Sequence, residues 1–481
     1  MVEKCECAVS CPNHCFCTSV KTSCISRNLT SIPNGISEQT ERLYLVDNAI
    51  ESIYNESLSG LHNLQVLDLE SNNIKDIQSG VFSNVYNLHH LNLKENDIET
   101  IRNDTFSDLG NLTFLSLESN RITDLPAKAF DSLTKLTLLS LESNRITELQ
   151  EKAFRYLTNL SVLNLAGNFI KAINEEVFFG LHNLNYLYLG DNDIESIHNE
   201  SLRGLNNLQV LNVQRNHLQY LQSGVFDDLL NLEKLILLQN EITDVGAGVF
   251  KHFSTMTQMK LHVNLIHILR NGTFEGMLHL QFIKLSRNNI NLVEKGVFRR
   301  LYELEELLMA FNSLSDISGL FEDLKKLKKL DLQHNLLTSI EMKMFKGLLN
   351  LEMLDLSGNQ LICNCALVSL KDLYIVRDHG VGIICPDTTG VDLKTIPDYD
   401  LCSNKGIFCR HENVTIIDGY SIDTAYGISV IRCAFMCDVN QECNAFQHDN
   451  DLQLVCNLWN IRDKSSWLTN VTRYVDLYNR C

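Results

Sequence analysis

Between residues 40 and 361 one pattern, L-x-x-L-x-L-x-x-N-x-I/L, returns without interruption. Its asparagine recurs every 24 residues at Asn48, Asn72, Asn96, Asn120, Asn144, Asn168, Asn192, Asn216, Asn240, Asn264, Asn288 and Asn312, and Asn335 and Asn359 follow at spacings of 23 and 24. Fourteen copies in register describe a stack of like coils, each burying its apolar positions against its neighbours, rather than several independent cores. In the copy that ends at Asn72, Leu67 and Leu69 alternate with Val66, Asp68 and Glu70. That alternation predicts a short strand with the leucines inward and the other three outward, and the strands of successive coils stack in parallel. The asparagine falls where the chain leaves the strand, a place where its amide satisfies backbone groups of adjacent coils, so a ladder of asparagines is expected. Ten residues later comes Phe82, Phe106, Phe130, Phe154, Phe178, Phe226, Phe250, Phe274 or Phe298, with Leu58 and Leu202 in the series and Phe321 one residue early before Phe345. These predict a stacked aromatic spine on the side away from the strands. The coil between Asn312 and Asn335 is one residue short, and a local change of curvature is expected there.

Cysteine usage changes the picture at both ends. All sixteen cysteines lie within residues 5–24 and 363–481, which points to disulfide-stapled termini and an oxidising compartment. No paired C-x2-C knuckle accompanies them, which disfavours zinc. Sequons at Asn28, Asn55, Asn103, Asn111, Asn159, Asn199, Asn271, Asn413 and Asn470 agree with an extracellular glycoprotein. Met1 is followed directly by Val2-Glu3-Lys4-Cys5, so a mature form with an added Met is expected, its signal peptide removed. No apolar run of about 18 residues suggests a membrane span; whether an anchor follows Cys481 stays open. The formal charge of −18 disfavours nucleic acid and anionic membranes as partners. The sequence contains no His-Glu-x-x-His, Gly-x-Ser-x-Gly or phosphate-cradling Gly-rich motif, so an enzyme, a cofactor and a metal centre are not expected.

The repeat resembles the extracellular leucine-rich-repeat family. The resemblance implies an α/β solenoid of about 14 repeats with a curved parallel sheet on its concave face. The run Cys11-Pro-Asn-His-Cys15-Phe-Cys17 with Cys24 is similar to that family's N-terminal cap, which implies the pairs Cys11–Cys17 and Cys15–Cys24 and leaves Cys5 and Cys7 unassigned. Cys363-Asn-Cys365 with Cys385 and Cys402 is similar to its C-terminal cap and implies Cys363–Cys385 and Cys365–Cys402. The six remaining cysteines, with a C-x3-C-x5-C core at Cys433, Cys437 and Cys443, resemble a PAN/apple module. That resemblance implies a small α+β domain with the pairs Cys409–Cys481, Cys433–Cys456 and Cys437–Cys443. The expected organisation is an N-terminal cap over 1–39, repeats over 40–361, a C-terminal cap over 362–402 and the PAN/apple-like domain over 403–481.

A solenoid of this kind presents its strand face as a broad binding surface. The outward strand positions of the middle repeats are apolar at Phe114, Leu138, Val162, Tyr186 and Val210, with Phe282 further on and Tyr188, Ile236 and Leu238 in neighbouring columns. Contiguous apolar surface marks interfaces, and Tyr is a frequent hot-spot residue; against this, Val and Leu also suit strands and cover one another. Charge is arranged along the same face, with Asp68, Glu70, Glu118 and Glu142 early and Lys260, Lys284 and Lys329 late, and Lys325, Lys326, Lys328 and Lys329 form a basic cluster that suits an acidic glycan. The sequons of the repeats fall outside the strand phase, which leaves that face free of sugar. The expected role is a cell-surface receptor ectodomain or adhesion protein that takes a protein ligand on the concave face. Two alternatives stand beside it: innate-immune recognition of microbial glycans or surface molecules, and a self-associating matrix protein. A second protein or glycan partner at the PAN/apple-like module and a homodimer are the further partners considered.

Overall fold

The computed structural model describes residues 11–345 and 347–362, together with the short strands Ile384–Cys385 and Val391–Asp392, which pair antiparallel. The C-terminal cap pairs Cys363–Cys385 and Cys365–Cys402, the PAN/apple-like module with its three pairs, Cys5 and Cys7, and the sequons Asn413 and Asn470 lie outside the described residues. The chain divides into two compact units, Met1–Ile266 with Gly272–Leu280 and His267–Asn271 with Gln281–Cys481.

In the first unit the strand face opens with an antiparallel hairpin, Phe16–Cys17 on Lys21–Ser23, and Lys21–Ser23 then pairs in parallel with Arg42–Tyr44. The hairpin covers the edge that the first parallel strand would otherwise expose. Cys11 bonds Cys17 and Cys15 bonds Cys24 across this turn. From Arg42–Tyr44 the three-residue strands of successive coils pair in parallel without slippage, Leu43 opposite Leu67, Leu67 opposite Leu91, and so on to Leu235 opposite Met259. The inward leucines are fully buried. In the second unit Phe282–Lys284, Glu306–Leu308, Lys329–Asp331 and Met353–Asp355 repeat the arrangement.

Each ladder asparagine ties two coils together. Asn144 donates from Nδ2 to the Leu117 and Leu141 carbonyls at 2.8 and 3.1 Å and accepts the Ile122 N–H at 3.1 Å. The same set recurs at Asn72 and Asn216 in the first unit and at Asn312 in the second. A second ladder, which the repeat pattern alone did not suggest, lies nine residues earlier: Nδ2 of Asn63, Asn87, Asn111, Asn159, Asn183, Asn207 and Asn231 donates to the carbonyl 25 residues upstream at 2.7–3.0 Å. Between the two ladders the phenylalanines stack. Phe82, Phe106, Phe130, Phe154 and Phe178 lie with centroids 6.1–6.3 Å apart, and Phe298 meets Phe321 at 6.4 Å in the second unit.

The fold class was expected to be α/β, yet among the described residues the only helical segments are two 3-10 turns, Asn55–Leu58 and Met342–Phe345. Elsewhere the chain returns by successive i→i+3 turns, as where Ser83 donates to Gly80, Val85 to Phe82 and Leu88 to Val85. A coil of 24 residues leaves too few positions between one strand and the next for a helix to earn its nucleation cost, and tight turns place the phenylalanine and the flanking leucines inward instead. Close packing of these turns makes glycine necessary at Gly180, where φ is +94° and a Cβ would collide with the Arg155 carbonyl of the preceding coil.

Candidate ligand-binding face

The apolar column lies on the strand face of the first unit. Strand register sets Phe114 beside Leu138, Leu138 beside Val162, Val162 beside Tyr186, and Tyr186 beside Val210, with Lys234 closing the row. At the other end His90 stacks on Phe114, ring centroids 4.0 Å apart. Strands about 4.8 Å apart bring such side chains into mutual contact. Accordingly Phe114, Leu138, Val162, Tyr186, Tyr188, Val210 and Leu238 are all half-buried rather than freely exposed. Ile236, expected to face outward, is only 8% exposed, because its register neighbours Asn212 and Lys260 flank it on both sides. Phe282 is half-buried too, but it belongs to the second unit.

Beside the apolar column runs a strip of small residues that the sequence reading passed over. Ser116 and Ser140, at 5% and 7% exposure, lie between the ridge of Phe114 and Leu138 and that of Glu118 and Glu142. The Ser140 hydroxyl is buried without a hydrogen-bond partner, a polar group whose desolvation nothing in the protein offsets. In register the serine column continues as Asn164 and Tyr188, and small residues pass to the neighbouring column of Glu118 and Glu142 as Ala166 and Gly190, of which Gly190 is buried. The signal was present in the sequence as small residues at outward positions two and four before the ladder asparagine.

The acidic half of the face finds some partners within the protein. Lys94 bridges Glu118 at 2.8 Å, Asn92 donates to Glu70 at 3.0 Å and Asn164 donates to Glu142 at 2.5 Å. Burial pushes the Asp68 carboxyl up and the His90 imidazole down, with the two groups' attraction opposing both shifts. Burial also raises the Tyr188 phenol, and neighbouring Tyr186 adds to the effect, so a hydroxyl that stays protonated is available as a donor. In the second unit the expected basic cluster is partly neutralised, Lys326 by Glu303 at 2.6 Å and Lys328 by Glu305 at 2.7 Å. Among the described residues no group of three or more His, Cys, Asp or Glu side chains could hold a metal ion, and no helix is long and apolar enough to cross a membrane.

The sequons separate into two kinds. Asn28, Asn103, Asn199 and Asn271 are exposed between the strands, and Asn55 is exposed at the start of the first 3-10 turn. Asn111 and Asn159 belong to the second ladder, their Nδ2 atoms donating to the Tyr86 and Thr134 carbonyls at 3.0 and 2.7 Å. None of the seven lies on a strand of the sheet.

Comparison with known proteins places the coils. The sequence model of the leucine rich repeat family matches residues 62–122, 111–170, 158–218, 206–266, 254–314 and 310–361. Curated relatives match over short stretches: bovine leucine-rich repeat-containing protein 3B is 42% identical over 65 residues, 13% of this chain and 25% of that protein. The peroxidasin homolog pxn-2 of Caenorhabditis elegans is 37% identical over 62 residues, 13% of this chain and 5% of that protein, so its enzymatic name says nothing of this chain. Three solved structures share the fold. The Drosophila Toll–Spatzle complex has a TM-score of 0.60 at 18% identity over 76% of this chain and 58% of that one. The plant peptide hormone receptor RGFR1 with RGF2 has 0.57 at 22% over 71% and 55%. The octameric complex of Latrophilin 3, Unc5D and FLRT2 has 0.52 at 21% over 82% and 99%. No catalytic family is indicated.

Proposed function

The chain belongs to the leucine-rich-repeat family, and on that premise we propose that it is an extracellular binding protein, a receptor ectodomain or adhesion molecule, that takes a protein ligand on the strand face of its first unit. The observation that carries this reading is the in-register column Phe114, Leu138, Val162, Tyr186 and Val210, lying beside a strip of small residues with an unpartnered buried hydroxyl at Ser140. Outward strand positions do not have to be apolar for the coil to fold, since the inward leucines already fill the core. An aromatic and aliphatic ridge next to small, buried side chains suits a side chain of a partner, with Tyr186 and Tyr188 as anchors. Cysteines confined to the two ends of the chain and sequons off the strands fit a glycoprotein outside the cell. The solved relatives whose fold it shares are described with protein partners, RGF2 and Spatzle among them, which supports a protein ligand here.

The test is a screen of the tagged chain against secreted and cell-surface proteins, followed by the captured partner's affinity for Tyr186→Ala/Tyr188→Ala. Loss of two hot-spot aromatics is expected to weaken binding by about thirtyfold or more. Unchanged affinity in a double variant that keeps its circular dichroism and thermal unfolding rules the face out.

A further inference from the structure

The coil that is one residue short opens a groove. In the second unit the inner residues keep their places despite the shortening: Val293 and Ile317 are both buried, as are Phe298 and Phe321, whose rings stack. The lost residue therefore comes from the turn between them, where Glu294-Lys295-Gly296-Val297 in one coil faces only Ser318-Gly319-Leu320 in the next. Gly319 at φ 72° has no side chain to fill the space. What results is a recess of about 560 Å³ lined by Lys295, Arg299, Tyr302, Gly319, Glu322 and Asp323, with buried Phe298 and Leu320 beneath, a size common for small-ligand sites, ~300–1,000 Å³.

The lining is unusual for a structural gap. Arg299 is exposed and makes no ion pair among the described residues, and exposed Lys295 acts on the Asp316 carboxylate electrostatically without a direct ion pair, whereas nearby Lys326 and Lys328 are each paired. Tyr302 stands 50% exposed at the rim. Two cations, a half-exposed tyrosine and two carboxylates line one recess. A planar guanidinium grips a carboxylate, the ring packs on the apolar face of a pyranose, and Glu322 and Asp323 accept from sugar hydroxyls. The same two carboxylates repel a polyanion such as nucleic acid or a densely sulfated chain. We propose that this groove is a second binding site, separate from the strand face, for a saccharide carrying one carboxylate, such as a sialic or uronic acid.

The experiment uses the whole chain after enzymatic removal of its own N-glycans, titrated calorimetrically with 3′-sialyllactose and, as the neutral counterpart, lactose. Saturable binding of sialyllactose in the millimolar range is expected, with lactose at least about tenfold weaker, the cost of one charged hydrogen bond. Arg299→Ala and Tyr302→Ala, both at exposed positions, are each expected to weaken sialyllactose about tenfold or more. Insertion of one alanine between Ser318 and Gly319, which restores the 24-residue length, should close the groove and abolish binding. Lys325→Ala, outside the groove, and Tyr186→Ala/Tyr188→Ala should both bind as the parent does. No saturable binding, equal binding of lactose, or parental affinity in either the Arg299 or the Tyr302 variant with its thermal unfolding unchanged overturns the proposal. Because the strand-face variants are a separate arm, that failure would leave the reading of the strand face untouched.

Discussion

Replacing Asn144 with alanine tests the physical account of the ladder at a well-enclosed point. Asn144 is 4% exposed, and the Leu117 and Leu141 carbonyls it holds each accept a second amide, from Asn120 and Asn168 at 3.1 and 3.0 Å. Removing Asn144 therefore orphans only one group completely, the Ile122 N–H, which otherwise reaches Oδ1 at 3.1 Å. An orphaned buried donor costs about 1–3 kcal/mol and each lost amide–carbonyl bond about 1 kcal/mol, so Asn144→Ala should cost about 3–5 kcal/mol. Asn144→Asp keeps the acceptor for Ile122 but turns a carboxylate toward two carbonyls. Burial and those dipoles raise its folded pKa. Stability carried by the protonated acid is then full below the unfolded value and is lost as pH rises through the folded one, so the aspartate variant should gain on the alanine variant as pH falls. Urea unfolding followed by circular dichroism gives the global cost. Hydrogen exchange at the Ile122 amide gives the local one, and it is the sharper measure because a stack of coils opens in pieces. A cost under about 1 kcal/mol, or unchanged protection of the Ile122 amide in Asn144→Ala, would refute the reasoning.

Three further expectations follow from the same packing. Phe130, stacked between Phe106 and Phe154 at 6.1 Å on either side, should cost about 3–5 kcal/mol when cut to alanine, whereas Phe169→Ala, half-exposed at 50%, should change the urea midpoint little. Val263 occupies the left-handed region at φ 56°, where a β-branched side chain is strained, so Val263→Asn should stabilise by about 1 kcal/mol, read as a raised urea midpoint; a lowered midpoint would show that valine packing outweighs the strain. Burial, with Asp355 adding to it, raises the Asp331 carboxyl, so its contribution is present when protonated and lost as pH rises through the folded pKa. Asp331→Asn should unfold at higher urea than the parent at neutral pH, with the difference closing as pH falls toward the ordinary carboxylate range, about 3.9.

The coil was legible in the sequence because its length fixes which residues meet. Every 24 residues an asparagine reaches the same carbonyls and a phenylalanine the same rings, so periodicity alone located the strands, the first ladder and the spine. The scarcity of helix among the described residues was not legible: turn and helix both accept the residues between Phe82 and Leu88, and the choice depends on how few positions remain before the next strand. Nor did alternation tell Ile236 from Leu238. Both are outward in phase, yet the first is covered and the second half-open, because the exposure of an outward residue is set by side chains one coil away, at positions 24 residues distant in the chain.

The same reasoning bears on where this chain departs from its own pattern. A regular coil presents its neighbours with a repeated surface, so the regular coils tell a partner little about which coil it has met. Identity along the stack comes from the exceptions: outward aromatics at Tyr186 and Tyr188, small residues at Ser140 and Gly190, and a turn shortened by one residue beside Lys295 and Arg299. The first two sets vary side chains on an unchanged backbone, and they modulate one continuous face. The shortened turn changes the backbone itself while the core residues around it stay in place, Ile317 still buried and Phe321 still stacked on Phe298. A stack tolerates such a loss because loops are thermodynamically forgiving where the inward positions are kept. For the same reason the alanine insertion at Ser318 should leave the urea midpoint nearly unchanged while removing the groove, and a large loss of stability on insertion would mean that the shortened turn serves the packing of that coil rather than the ligand.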